Sequence, residues 1–174
     1  MDPDDIEELE PQNIRTLPRH LLFWLYNKVV PLERRLPDEF WMQYDEEKQI
    51  IGLRASLLLW SHSEYQYLPR KFQLIATMAV MTGQDSLIDV GTGAGKTLCM
   101  VLPCMLAPET MAIVFSPLKR LQVVQVLEFS RYHIKAIAIN EDTPNNLELW
   151  EVCTSAWPVL DAGNTLDASG HQKR

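Results

Sequence analysis

Seven consecutive residues, Gly91-Thr92-Gly93-Ala94-Gly95-Lys96-Thr97, place three glycines, an ammonium and a hydroxyl in an order that suits a phosphate chain. Glycine admits backbone conformations closed to other residues, so successive N–H groups can turn toward one anion. A helix that starts there adds the positive end of its dipole. Lys96 would then meet the β and γ phosphates as a mobile charge, and the Thr97 hydroxyl would sit on Mg²⁺. The broad phosphate-loop pattern asks for glycine six positions before the lysine, where this chain has Val90, but the tighter string Thr-Gly-x-Gly-Lys-Thr is complete. The chemistry implied is binding of a nucleoside triphosphate with Mg²⁺. The bland competitor is a glycine turn between two elements.

Such a loop needs a strand before it and a helix after it. Residues 86–90 form a short apolar run, residues 98–106 a longer one suited to a helix, and residues 111–115 a continuous apolar run of the length of a buried parallel strand. Residues 69–81 predict a helix and Thr82-Gly83-Gln84-Asp85 a turn, Ser116-Pro117 ends the second strand, residues 118–130 look helical, and residues 134–139 supply a third strand. Strands alternating with helices predict an α/β fold, a partial parallel sheet flanked by helices.

Upstream, Pro18 could open a helix over residues 20–30 that Pro31 ends, and Pro37-Asp38 could cap another running from residue 39 toward 59. Gly52 weakens the middle of that second helix. The expected layout is an acidic disordered arm at 1–15, a helical region at 16–60, the nucleotide-binding part at 61–152 and a loose tail at 153–174.

Composition sets outer limits. The 174 residues, 47% of them hydrophobic, suffice for one domain with a core. The formal charge of −7 argues against wrapping nucleic acid by bulk charge, yet six acidic and no basic residues fall in the first ten, so the remainder is nearly balanced and leaves room for a local basic groove. Cys99, Cys104 and Cys153 form no Cys-x-x-Cys pair and suggest buried free thiols rather than a disulfide framework or zinc site. The acidic start and the short apolar stretches predict an intracellular chain with no membrane partner.

Four segments in register carry a family likeness. Arg70-Lys71-Phe72-Gln73, Gly83-Gln84-Asp85, Thr92-Gly93-Ala94-Gly95-Lys96-Thr97-Leu98-Cys99 and Val114-Phe115-Ser116-Pro117-Leu118 resemble the opening of the first RecA-like motor domain of RecQ-like superfamily 2 helicases, of the DEAD/DEAH type. The resemblance spans residues 65–149, about half the chain. It implies a partial RecA-like domain, and a relative that unwinds DNA from the 3′ side using ATP.

Carried over by that resemblance, Gln73 corresponds to the glutamine that reads the adenine edge, and Arg70, one helical turn earlier, lies beside the same base. Tyr65 or Tyr67 would supply a stacking ring. Ser116, Lys119 and Arg120 correspond to the segment that lies against the backbone of the translocated strand, where a hydroxyl, helix N-terminal amides and two cations can meet phosphate oxygens.

Cutting the nucleotide needs more: an acidic pair on a further strand, one carboxylate on the metal and one on the attacking water, and arginines from a second motor domain. The nearest imitation is residues 136–141, where Asn140 stands in the place of an aspartate and Asn140-Glu141-Asp142-Thr143 is similar instead to a threonine-bearing turn. The expectation is therefore an ATP-binding fragment of a RecQ-like helicase, with no catalytic residues of its own and its activity as an enzyme left open. Two alternatives stand beside it: a small P-loop kinase or nucleotide transferase, and a non-enzymatic remnant whose incomplete sheet needs a partner chain.

Overall fold

The structure, a computed structural model, describes residues 10–143. Among the described residues seven α-helices run in chain order: α1 (Pro11–Thr16), α2 (Arg19–Val29), α3 (Asp38–Met42), α4 (Glu46–His62), α5 (Lys71–Met81), α6 (Leu98–Leu106) and α7 (Lys119–Arg131), with a 3₁₀ turn at Leu32–Arg34. The chain divides after Ala138 into two units. Of the second, the described part is a turn in which Asn140 Oδ1 accepts from Asp142 N and Thr143 Oγ1 accepts from Asn140 N.

Proline and acidic caps start the N-terminal helices. Pro11 opens α1, Pro18 and Pro37 are the N-caps of α2 and α3, and Asp45 caps α4 by accepting the Lys48 N–H at 2.9 Å. Glu46 and Glu47 follow in the first turn, where negative charge favours the helix dipole. The single helix expected from residue 39 is in fact two, α3 and α4, parted by the Asp45 cap. Helix α1 begins inside the stretch expected to be a disordered arm and buries Ile14, while residues 1–9 and the loose tail expected at 153–174 lie outside the described residues.

Helix α4 is the hub. From Leu53 to Trp60 it is buried on nearly every side, which a helix tolerates only at the centre of a packed unit, and α1, α2, α5 and α6 all pack against it. Gly52 has a packing role: a Cβ there would lie 2.8 Å from Cζ3 of the Trp41 ring. Trp41 is in turn ringed edge-on by Phe23, Tyr26 and Phe40, an arrangement that the ring quadrupoles favour. Arg15 of α1 donates from Nε to the Met105 carbonyl near the end of α6, satisfying one of the last acceptors of that helix.

Helix α5 ends in a Schellman turn. Gly83, at φ +71°, lets Gln84 N reach Ala79 O at 2.8 Å and Gly83 N reach Val80 O at 3.1 Å. Helix α6 packs on both α4 and α5, burying Cys99, Val101, Leu102 and Met105. The loop that precedes α6 is thereby held beside the start of α5.

The α/β expectation is overturned. Among the described residues there is no strand and no sheet, parallel or otherwise. Residues 86–90, 111–115 and 134–139 have the apolar composition of strands but are extended or irregular chain, with Leu87 98% and Phe115 93% exposed. A strand is stabilised by a neighbour that pairs its backbone, and composition cannot provide that neighbour. Helices satisfy their backbone internally and so form where the strands do not. The partner chain expected to complete the sheet loses its basis with the sheet.

Candidate nucleotide site

The glycine loop between residues 90 and 98 folds back on itself. Gly93 and Gly95 stand at φ +80° and +87°, in the left-handed region where a side chain is strained, and Ala94 N closes a turn on Gly91 O at 3.3 Å. The chain then passes into α6 through short-range bonds, Leu98 N to Gly95 O at 3.2 Å and Cys99 N to Lys96 O at 3.0 Å, with Thr97 as the N-cap. Among the described residues, the amides of Gly93, Gly95, Lys96 and Thr97 donate to no backbone carbonyl. Four N–H groups within five residues, beside a helix start, are what an anion would require.

Lys96 is engaged with the loop itself. Its Nζ donates to the carbonyls of Val90, at 2.8 Å, and Gly91, at 3.0 Å. The ammonium thus spans the mouth of the loop while remaining exposed.

Arg70 and Gln73, which the family resemblance assigns to the base, lie against the same loop. Arg70 is the N-cap of α5, and Gln73, at the third helical position, accepts the Arg70 N–H on Oε1 at 2.7 Å, the glutamine half of a capping box. The other end of the Gln73 carboxamide donates from Nε2 to the Gly95 carbonyl at 2.8 Å. Arg70 Nη1 reaches the Ala94 carbonyl at 3.2 Å. Sequence reasoning misses this pair of ties. The signal available to it is the three-residue spacing of Arg70 and Gln73, which suits a capping box as well as a base.

Tyr65 and Tyr67 follow α4 and are 53% and 64% exposed; Tyr65 lies against Trp60 with ring centroids 6.0 Å apart. The second set of sequence candidates gathers at the start of α7. Ser116 accepts the Gln122 side-chain N–H on its carbonyl at 2.8 Å, and its own hydroxyl is buried without a hydrogen-bond partner among the described residues. Lys119 and Arg120 are exposed in the first helical turn. Among the described residues no group of three or more His, Cys, Asp or Glu side chains is placed to hold a metal ion. None of the described helices is long and apolar enough to cross a membrane.

Residues 70–155 match the DEAD/DEAH box helicase family. Over 125 residues the chain is 31% identical to a protein of Caenorhabditis briggsae that carries the name ATP-dependent DNA helicase Q1, a match covering 66% of this chain and 19% of that protein. The protein of the same name from Caenorhabditis elegans is 38% identical over 74 residues, or 42% of this chain and 12% of its own length. The RecQ-like DNA helicase BLM of Xenopus laevis is 40% identical over 73 residues, covering 42% of this chain and 5% of that one. The chain spans less than a fifth of the length of each of these relatives. No solved structure matches it.

Proposed function

Because residues 70–155 belong to the DEAD/DEAH box helicase family and have RecQ-like DNA helicases among their relatives, we propose that the glycine loop holds the triphosphate of ATP and that the chain is the nucleotide-binding part of a 3′-to-5′ DNA-unwinding motor. The observation that carries this reading is the set of uncommitted amides at Gly93, Gly95, Lys96 and Thr97 beside the start of α6. Lys96 would exchange its two carbonyl acceptors for phosphate oxygens, a pairing of opposite charges in place of bonds to uncharged acceptors. The Thr97 hydroxyl would carry Mg²⁺, a hard cation that keeps most of its waters and takes one or two protein oxygens. Arg70 and Gln73 belong to the site through the loop carbonyls they hold.

Ser116, Lys119 and Arg120 would meet the phosphates of a DNA strand, an interaction that positions without reading sequence. The acidic pair that would orient water and hold the metal during hydrolysis is missing from the sequence between Lys96 and Thr143, where Asn140 stands in for the aspartate. Binding without efficient turnover is therefore the function proposed for this chain by itself, in the nucleus of a eukaryotic cell.

A labelled-ATP titration of the chain against Lys96→Ala tests the reading. The variant should bind at least about ten-fold more weakly, for want of one charge-assisted bond. Equal affinities would remove the nucleotide site. DNA-stimulated ATP turnover by the parent chain should be negligible, and robust turnover would mean that carboxylates outside the described residues complete the centre.

A further inference from the structure

We infer that Arg34 is a positioning residue for the base side of the nucleotide site, clamping the strained loop after α4 through the Gln66 carbonyl and so fixing the tyrosine rings that the loop presents. The inference rests on the proposal that the chain binds ATP.

Helices α4 and α5 end in the same kind of turn built from different residues. In α5 the left-handed position belongs to Gly83. In α4 the corresponding bonds run from Tyr65 N to Trp60 O at 2.8 Å and from Glu64 N to Ser61 O at 3.2 Å. Its left-handed residues are Glu64 and Tyr65, at φ +51° and +65°. Neither has the freedom of glycine, so this turn is under a strain that α5 avoids. Such strain persists where the surrounding contacts over-determine the backbone, and it gathers where a ligand has to be held.

The contacts lie on both sides of the loop. From within, Ser63 Oγ accepts the Tyr67 N–H at 2.9 Å and the Gln66 N–H at 3.3 Å. From across, Arg34 Nη1 donates to the Gln66 carbonyl at 2.9 Å, a bond between residues 32 apart in the chain. The Arg34 guanidinium also lies over the Trp60 ring, 5.8 Å from its centroid, and the same ring supports Tyr65. The turn that bears Arg34 is itself pinned to α2. Arg35 donates from Nε to the Val30 carbonyl at 2.7 Å and from Nη2 to the Asn27 carbonyl, and Leu36 N donates to the Tyr26 hydroxyl at 3.1 Å. Arg34 therefore brings a fixed support to a loop that its own residues leave strained.

The clamp fixes two rings that remain more than half exposed, Tyr65 and Tyr67. A ring already held in place stacks on a base at a smaller entropic cost than one on a mobile loop. The reach of the clamp ends before the phosphates, because Leu68 packs against the core and Pro69 is buried between the loop and Arg70. Loss of Arg34 is thus felt by the base and not by the triphosphate. Arg34 stands well before residues 70–155, which match the helicase family, so the clamp gives the N-terminal helices a part in nucleotide binding.

Arg34→Met keeps an apolar stem beside Trp60 and removes the donor. Its affinity for ATP should fall about five-fold, the scale of one exposed bond from a charged donor, while its affinity for inorganic tripolyphosphate stays at the parent value. Arg34→Lys, which retains a cation and a donor, should recover most of the loss. Glu64→Gly in the Arg34→Met background should recover part of it, because glycine takes the left-handed place without strain. An equal loss for tripolyphosphate, or no loss for ATP, overturns the inference.

Without ligand, amide exchange at residues 65–67 should accelerate in Arg34→Met, with the α5 amides at the parent rate. Unchanged exchange in the loop overturns the clamp. A parent chain that binds neither ATP nor tripolyphosphate removes the nucleotide site and the role of Arg34 in it together. A parent chain that binds both, beside an Arg34→Met variant that binds both as tightly, removes the role of Arg34 alone.

Discussion

The six-membered ring of Trp41 lies over Gly52, so close that a methyl group added to the glycine would be 2.8 Å from Cζ3. A buried clash of this kind forces either the ring or α4 to move, and overpacking of a filled core typically costs about 1–3 kcal/mol. Gly52→Ala should accordingly lower the thermal midpoint despite the better helix propensity of alanine. Adding Trp41→Phe, which removes the overhanging ring, should give a smaller decrement than the sum of the two single changes. An alanine variant as stable as the parent would mean that the ring does not occupy this place.

Acid should weaken the packing where α4 ends. His62 is part-buried, its ring centroid 5.7 Å from that of His133, and burial first, then the charge of His133, holds its pKa below the ordinary histidine value. Arg15 adds to the lowering, while a backbone bond to Leu58 opposes it. A base whose pKa is depressed on folding binds fewer protons folded than unfolded, so stability is present above the unfolded value of 6.5 and is lost as pH falls through the folded one. The thermal midpoint should fall between pH 7 and pH 5, and His62→Gln should flatten that dependence. A slope identical in the variant would assign the acid sensitivity to other groups.

The two described thiols should be slow to react. Cys99 is buried and Cys104 half-buried, and burial pushes both above the ordinary thiol value, opposed by weaker backbone bonds. Only the thiolate is nucleophilic, so a disulfide reagent at pH 8 should modify these residues far more slowly in the folded chain than in denaturant. The shift also has a stability sign: the folded thiols keep their protons where the unfolded ones lose them, so their contribution is present below the unfolded value and is lost as pH rises through the folded one. Rapid modification of Cys99 in the native chain would place it at the surface.

Binding to a nucleic-acid backbone should show in salt rather than in sequence. Replacing Lys119 and Arg120 by alanine should weaken binding of a labelled single-stranded DNA and reduce the slope of log affinity on log salt by roughly 1.4, about 0.7 for each phosphate left without its cation. An unchanged slope would return both cations to the role of a solvated helix face.

What the sequence discloses here is what short-range chemistry decides. Pro18, Pro37 and Gly83 punctuate the chain at the sites expected, and the helices near residues 20–30, 69–81, 96–106 and 118–130 appear as α2, α5, α6 and α7, within a few residues at each end. What fails is long-range. Whether Phe115 lies in a buried strand depends on a neighbouring backbone, and the apolar run around it carries no information about that neighbour; the side chain is 93% exposed. The break at Asp45 is masked because the apolar pattern continues across it, although an acidic cap followed by Glu46 and Glu47 marks a helix start. The resemblance places Arg70 and Gln73 beside a base, and nothing in the sequence discloses their hydrogen bonds to Ala94 and Gly95, which span more than twenty residues of chain.

Lys96 also ties two stretches of backbone together, because the carbonyls it bridges belong to the segment that arrives at the loop while its own Cα belongs to the segment that leaves. A triphosphate that captures the ammonium unfastens the arriving stretch at the same moment. Occupancy of the pocket would then quieten the chain on the α6 side and loosen it on the side of Asp89, a two-way response that deuterium uptake with and without ATP should register, and that a uniformly stiffened loop would contradict.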